Sequence, residues 1–123
     1  IHLADLFLDN HHVNAHTTAT EALWAGVPVV TWPGQAMASR VASSLLSASG
    51  VGELVARTRS EFLLLGTQLA KNSRKRDSIR RHLEASRSSS KLLDTGLWVK
   101  GWEVALRMLV ETPSTYHVIV AGG

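Results

Sequence analysis

The sequence has 123 residues, 45% of them hydrophobic, which is enough for one small domain with a buried core and too apolar for wholesale disorder. No run reaches the roughly 18 apolar residues of a membrane span, there is no cysteine for a disulfide, a thiolate zinc site or a nucleophile, and the amino end lacks a signal-peptide pattern. The formal charge of +3 is concentrated around Lys71, Arg74, Lys75, Arg76, Arg80, Arg81 and Arg87, where Asp77 and Glu84 intervene and aromatics are absent, so the segment reads as the wet face of a helix and neither a nucleic-acid nor a membrane surface is expected.

In chain order, the first residue is not methionine, which suggests a fragment. Residues 4–9 are mostly apolar and predict a strand covered on both faces, with Asp9 at its carboxyl end, where ligands gather in open parallel sheets. Residues 10–15 then form a rim loop. His11, His12 and His16 invite a metal reading, but the loop separates them and no carboxylate completes a familiar pattern, so no metal is expected. A helix over 18–25 follows, ended by Gly26 in a left-handed conformation, and 27–31 reads as a short buried strand with Pro28 near its start. Strand, helix and strand make the repeating unit of a parallel sheet.

The amino end of that helix carries the chemistry. Unpaired N–H groups and a partial positive charge make such a turn an anion site, and His16, Thr17 and Thr18 add three side-chain donors. Thr18-Ala19-Thr20-Glu21 also fits a capping box, the commoner use of such residues. The two uses are compatible.

Trp32-Pro33-Gly34 breaks the chain, and a helix over 36–48 should turn Met37, Val41, Leu45 and Ala48 toward a core. Arg40 near its start is either an ordinary ion pair or a contact to the 32–35 loop or a bound ligand. Gly50 and Gly52 mark a turn, and 53–56 is a short strand or a helical turn. Thr58 or Ser60 caps the next helix, whose buried stripe is Leu63, Leu64, Leu65, Leu69 and Ala70. A helix over 73–86 places Ile79 and Leu83 inward, and 86–90 is a polar link. A long helix over 95–111 carries Trp98 and Trp102 on one face as packing residues, weakened locally by Gly96 and Gly101 and stopped by Pro113. Within the tail, 116–123 reads as a short strand with no identifiable partner.

His16-Thr17-Thr18, Leu23-Trp24-Ala25-Gly26 with Pro28, Val30-Thr31 with Pro33-Gly34, Ala38-Ser39-Arg40-Val41 and the run 52–57 resemble the carboxy-terminal catalytic lobe of the O-linked N-acetylglucosamine transferases. The likeness covers about residues 3–110. It implies an α/β fold, a partial Rossmann-like lobe of a two-lobe (GT-B) glycosyltransferase, with 1–112 the later part of the nucleotide-sugar-binding lobe and 113–123 unassigned. It also implies transfer of N-acetylglucosamine from UDP-GlcNAc to protein serine or threonine, without a metal or other cofactor, in the cytoplasm or nucleus. His16, Thr17 and Thr18 would bind the donor diphosphate and Glu21 the ribose, in place of the aspartate common in the family; Arg40 is a further candidate. No catalytic residue falls within this stretch. The partners implied are the nucleotide sugar, a protein acceptor and the amino-terminal lobe; the family's uridine-holding lysine and histidine lie just before Leu3. A protein O-fucosyltransferase or N-glucosyltransferase sibling and a non-catalytic packing lobe are the alternatives, and His16 favours the first reading over the fucosyl branch.

Overall fold

Two apolar runs lie side by side. Phe7–Leu8 (β1) and Val29–Val30 (β2) pair in parallel, Phe7 opposite Val29 and Leu8 opposite Val30. The Phe7 amide donates to the Pro28 carbonyl at 2.9 Å and that of Asp9 to Val30 at 3.0 Å. Thr31 extends β2 into a parallel bridge with Val55. Its amide donates to the Leu54 carbonyl (3.2 Å), and Ala56 donates back to the Thr31 carbonyl (2.8 Å). Val29 and Val30 are fully buried, as a central parallel strand requires. β1 is shorter than expected and Leu8 is 56% exposed, because β1 has one neighbour among the described residues and β2 has two. The computed structural model describes residues 3–112.

The chain divides into two compact units, 1–93 and 94–123. In the first, α1 (Thr17–Trp24) connects the two strands and buries Ala19, Ala22 and Leu23. Gly26 ends it at φ +80°, with the Val27 amide donating to the Ala22 carbonyl at 2.8 Å. A Cβ there would also lie 3.0 Å from Arg80 Cγ. We therefore expect Gly26→Ala to cost about 1–2 kcal/mol, the ordinary cost of a left-handed L-residue, read as a lower denaturation midpoint.

The expected helix over 36–48 is two pieces. A 3-10 turn, Met37–Ser39, runs to Arg40, and α2 (Val41–Ala48) starts afresh. The break rotates the inward face: Ala42 and Leu46 are buried, whereas Met37 is 80% exposed. Residues 53–56 combine both expected forms, a 3-10 turn (Gly52–Leu54) followed by the Val55 bridge. Thr58 caps α3 (Arg59–Lys71) through a 3.1 Å bond from the Glu61 amide. Within α3 only Gly66 and Leu69 are buried; Leu65 is half-buried, while Leu63, Leu64 and Ala70 are exposed, because consecutive leucines cannot share one helical face. α4 (Ser73–Ala85) buries Ile79 and Leu83 as expected. Its basic residues are not all free in solvent. Arg76 donates to the Leu69 carbonyl (2.6 Å) and Arg80 to that of Ala4 (3.4 Å). In the link beyond, Arg87 donates to the Trp24 carbonyl (2.6 Å) and lies 4.8 Å over its ring. The common core joins Val27, Val29, Val30, Leu46, Val51, Leu54 and Leu69.

The second unit contains α5 (Thr95–Glu111), continuous through Gly96 and Gly101 and capped by Asp94. Trp98 and Trp102 meet edge to face at 5.8 Å. None of its residues is buried within its own unit, since one helix there has no second layer. Pro113 and the expected tail strand lie outside the described residues. No described helix is long and apolar enough to cross a membrane.

Candidate functional site

The carboxyl ends of β1 and β2 carry Asp9 and Thr31, and these two residues build the rim. Asp9 is 8% exposed and accepts three hydrogen bonds. Oδ1 takes the amides of Asn10 and Ala15, both at 2.9 Å, and Oδ2 takes the Thr31 hydroxyl at 2.8 Å. One carboxylate thus closes the 10–15 loop and ties it to the central strand. Asn14, 3% exposed, donates from Nδ2 to the Asn10 carbonyl (2.8 Å), while its Oδ1 accepts the Ala42 amide (3.1 Å). Its own amide donates to the Ala38 carbonyl at 2.8 Å.

So anchored, the loop delivers His16 as the amino cap of α1, one residue earlier than expected. The capping box does not form. Thr18 already lies inside the helix, and His16, in the capping place, makes no side-chain cap bond. The first helical bond runs from the Thr20 amide to the His16 carbonyl (3.1 Å), so the amides of Thr17, Thr18 and Ala19 precede it unpaired within the helix. The Thr20 hydroxyl is also spent on that carbonyl (3.1 Å). His16, Thr17 and Thr18 are exposed, and no hydrogen bond among the described residues engages their side chains. Glu21 is exposed too, four residues after Thr17 and therefore on the same helix face.

The 32–35 loop packs beside the 10–15 loop. His11 stacks on Trp32 at 3.7 Å with planes 17° apart, and its Nδ1 donates to the Trp32 carbonyl at 2.7 Å. A carbonyl only accepts, so the proton sits on Nδ1. Arg40 donates to the Gly34 carbonyl (3.0 Å), and the Gly34 amide to the Ser39 carbonyl (3.0 Å). A Cβ on Gly34 would fall 2.7 Å from Ser39 Oγ, so the close approach of loop and turn needs glycine. Of the two readings of Arg40, an ion pair or a contact to the 32–35 loop, the structure shows the loop contact.

Among the described residues no three His, Asp or Glu side chains converge to hold a metal ion. His11 instead serves the loop. Asp9 and Asn14 escaped sequence reading as structural clamps, because the partner that makes each a clamp, Thr31 or Ala42, lies 22 or 28 residues away. The single available signal was the place of Asp9 at a strand's carboxyl end.

What the rim can do chemically is receive an anion, with the unpaired amides of the exposed Thr17 and Thr18, their two hydroxyls and the His16 imidazole at one helix turn. The model of glycosyl transferase family 41 matches residues 1–101. The chain is 43% identical over 102 residues to a probable UDP-N-acetylglucosamine-peptide N-acetylglucosaminyltransferase (SEC) of Arabidopsis thaliana, covering 82% of this chain and 10% of that protein. It is 44% identical over 92 residues to a UDP-N-acetylglucosamine-peptide N-acetylglucosaminyltransferase of Caenorhabditis elegans, covering 75% and 8%. The fold superposes on the Thermobaculum terrenum O-GlcNAc transferase, solved as its K341M mutant, with a TM-score of 0.79 and 38% identity, over 85% of this chain and 20% of that one. The chain therefore spans about a tenth of the length of these curated relatives, and its parallel strands and helices are part of an α/β lobe. It belongs to glycosyl transferase family 41.

Proposed function

We propose that this chain is the donor-diphosphate half of the second lobe of an inverting protein O-N-acetylglucosaminyltransferase, with 1–112 the later part of that lobe. The observation that carries the reading is the open first turn of α1, whose amides and side chains are left without internal partners. In the reaction the acceptor hydroxyl attacks the anomeric carbon, the bond from that carbon to the diphosphate oxygen breaks, and its electron pair stays with UDP. His16, Thr17 and Thr18 meet the charge that grows there, as fixed donors aimed at a leaving group. No metal enters this reading. Glu21 reaches from the same face to the ribose hydroxyls, and Arg40 holds the 32–35 loop. The amino-terminal lobe supplies the remaining groups and the groove for the protein acceptor, and the compartment is the cytoplasm or nucleus.

Titrating the full-length protein with UDP-N-acetylglucosamine and GDP-fucose in parallel tests this. The uridine donor should bind at least about tenfold tighter, the discrimination that one well-placed polar contact supplies. Preference for GDP-fucose would assign a fucosyl sibling, and binding of neither would leave a packing lobe; both results overturn the proposal.

A further inference from the structure

α2 has no cap of its own. Arg40 occupies the capping place without a side-chain bond, and the Ala42 amide is instead satisfied by Asn14 Oδ1 from 28 residues earlier. The other end of the same carboxamide donates to the Asn10 carbonyl, closing the loop that ends at His16. The two partners fix the amide's orientation, since Ala42 offers only a donor and Asn10 only an acceptor. Asn14 is 3% exposed and two residues from His16, so it does not face solvent and its neighbour's neighbour does. One buried side chain therefore joins the loop that leads into α1 to the first turn of α2. The residue capping α2, Arg40, in turn holds the 32–35 loop through the Gly34 carbonyl. The loop that leads to His16 and the start of α2 are thus tied together by this one carboxamide.

We propose that Asn14 is a positioning residue for the donor diphosphate, setting His16, Thr17 and Thr18 through the loop that leads to them. This rests on the reading of the α1 turn given above. It acts by positioning the side-chain donors of the turn, so the larger part of its effect is expected only while those side chains are present. The test is a double-mutant cycle on UDP affinity in the full-length protein, combining Asn14→Ala with the stripped turn His16→Ala/Thr17→Val/Thr18→Val, measured to millimolar UDP. Asn14→Ala should weaken UDP binding about tenfold in the parent and less than about twofold in the stripped background, the non-additivity expected of coupled groups. Equal effects in both backgrounds, or none in the parent, would overturn the proposal. If the stripped turn itself leaves UDP affinity unchanged, the diphosphate reading fails instead, and the two failures are told apart. Should Asn14→Ala not fold, Asn14→Asp keeps an acceptor for the Ala42 amide and loses only the donor to Asn10. Any repulsion from its new charge persists in both backgrounds, so the same excess loss in the parent, at least about fivefold, is expected and its absence is contrary.

Discussion

Replacing Asp9 by alanine is expected to destabilise the fold by on the order of 3–5 kcal/mol, three lost hydrogen bonds to a charged acceptor at roughly 1–1.5 kcal/mol each. The carboxylate takes two backbone amides and one hydroxyl, all between 2.8 and 2.9 Å. Thr31 is fully buried, so its hydroxyl would lose its acceptor where water does not reach. The amides of Asn10 and Ala15 are nearer solvent and can recover part of their loss. The loop they belong to would still be freed, and with it the approach to α1. Asn at this position should cost less, about 1–2 kcal/mol. Its carbonyl can keep the two amides while its amino group turns to Thr31, whose oxygen can accept. Chemical denaturation of the two variants side by side decides the point. An alanine variant as stable as the asparagine one would show that the three bonds carry little.

The parallel strand–helix–strand unit was legible because its signals are local. Gly26 sits where α1 must stop, and the valines of 27–30 admit no polar face. The inward pair Ile79 and Leu83 of α4 was legible for the same reason, being four apart in an otherwise polar run. Failures came where distant partners decide. Thr18 and Glu21 have the spacing of a capping box, yet Asp9 and Asn14 anchor the preceding loop so that the helix begins one residue sooner and the box is out of register. The single helix expected over 36–48 is broken at Arg40, whose guanidinium is committed to Gly34 and whose amino cap is supplied by Asn14. That break turned Met37 outward and moved the buried face to Ala42 and Leu46. In the leucine run of α3, apolarity alone did not say which side faced the core. Gly66 settles it, lying against Leu8 with only 3.2 Å for a Cβ. The candidate site was legible as a list of residue types and not as an arrangement. His16, Thr17 and Thr18 were evident as donors, whereas the buried residues that aim them were silent.

The second large effect concerns that turn. A charge-assisted hydrogen bond is worth about 1.5–3 kcal/mol, and the exposure of His16, Thr17 and Thr18 places each toward the lower end of that range. Losing the imidazole and both hydroxyls together should then weaken UDP binding by at least about a hundredfold. The side chains are exposed and hold nothing else, so the fold should keep its stability. The most direct measurement is calorimetric titration of UDP into the full-length protein and its His16→Ala/Thr17→Val/Thr18→Val variant, each checked for an unchanged unfolding midpoint. A loss of a hundredfold or more with the midpoint held is the predicted result; unaltered affinity in the folded variant would contradict a diphosphate at the start of α1.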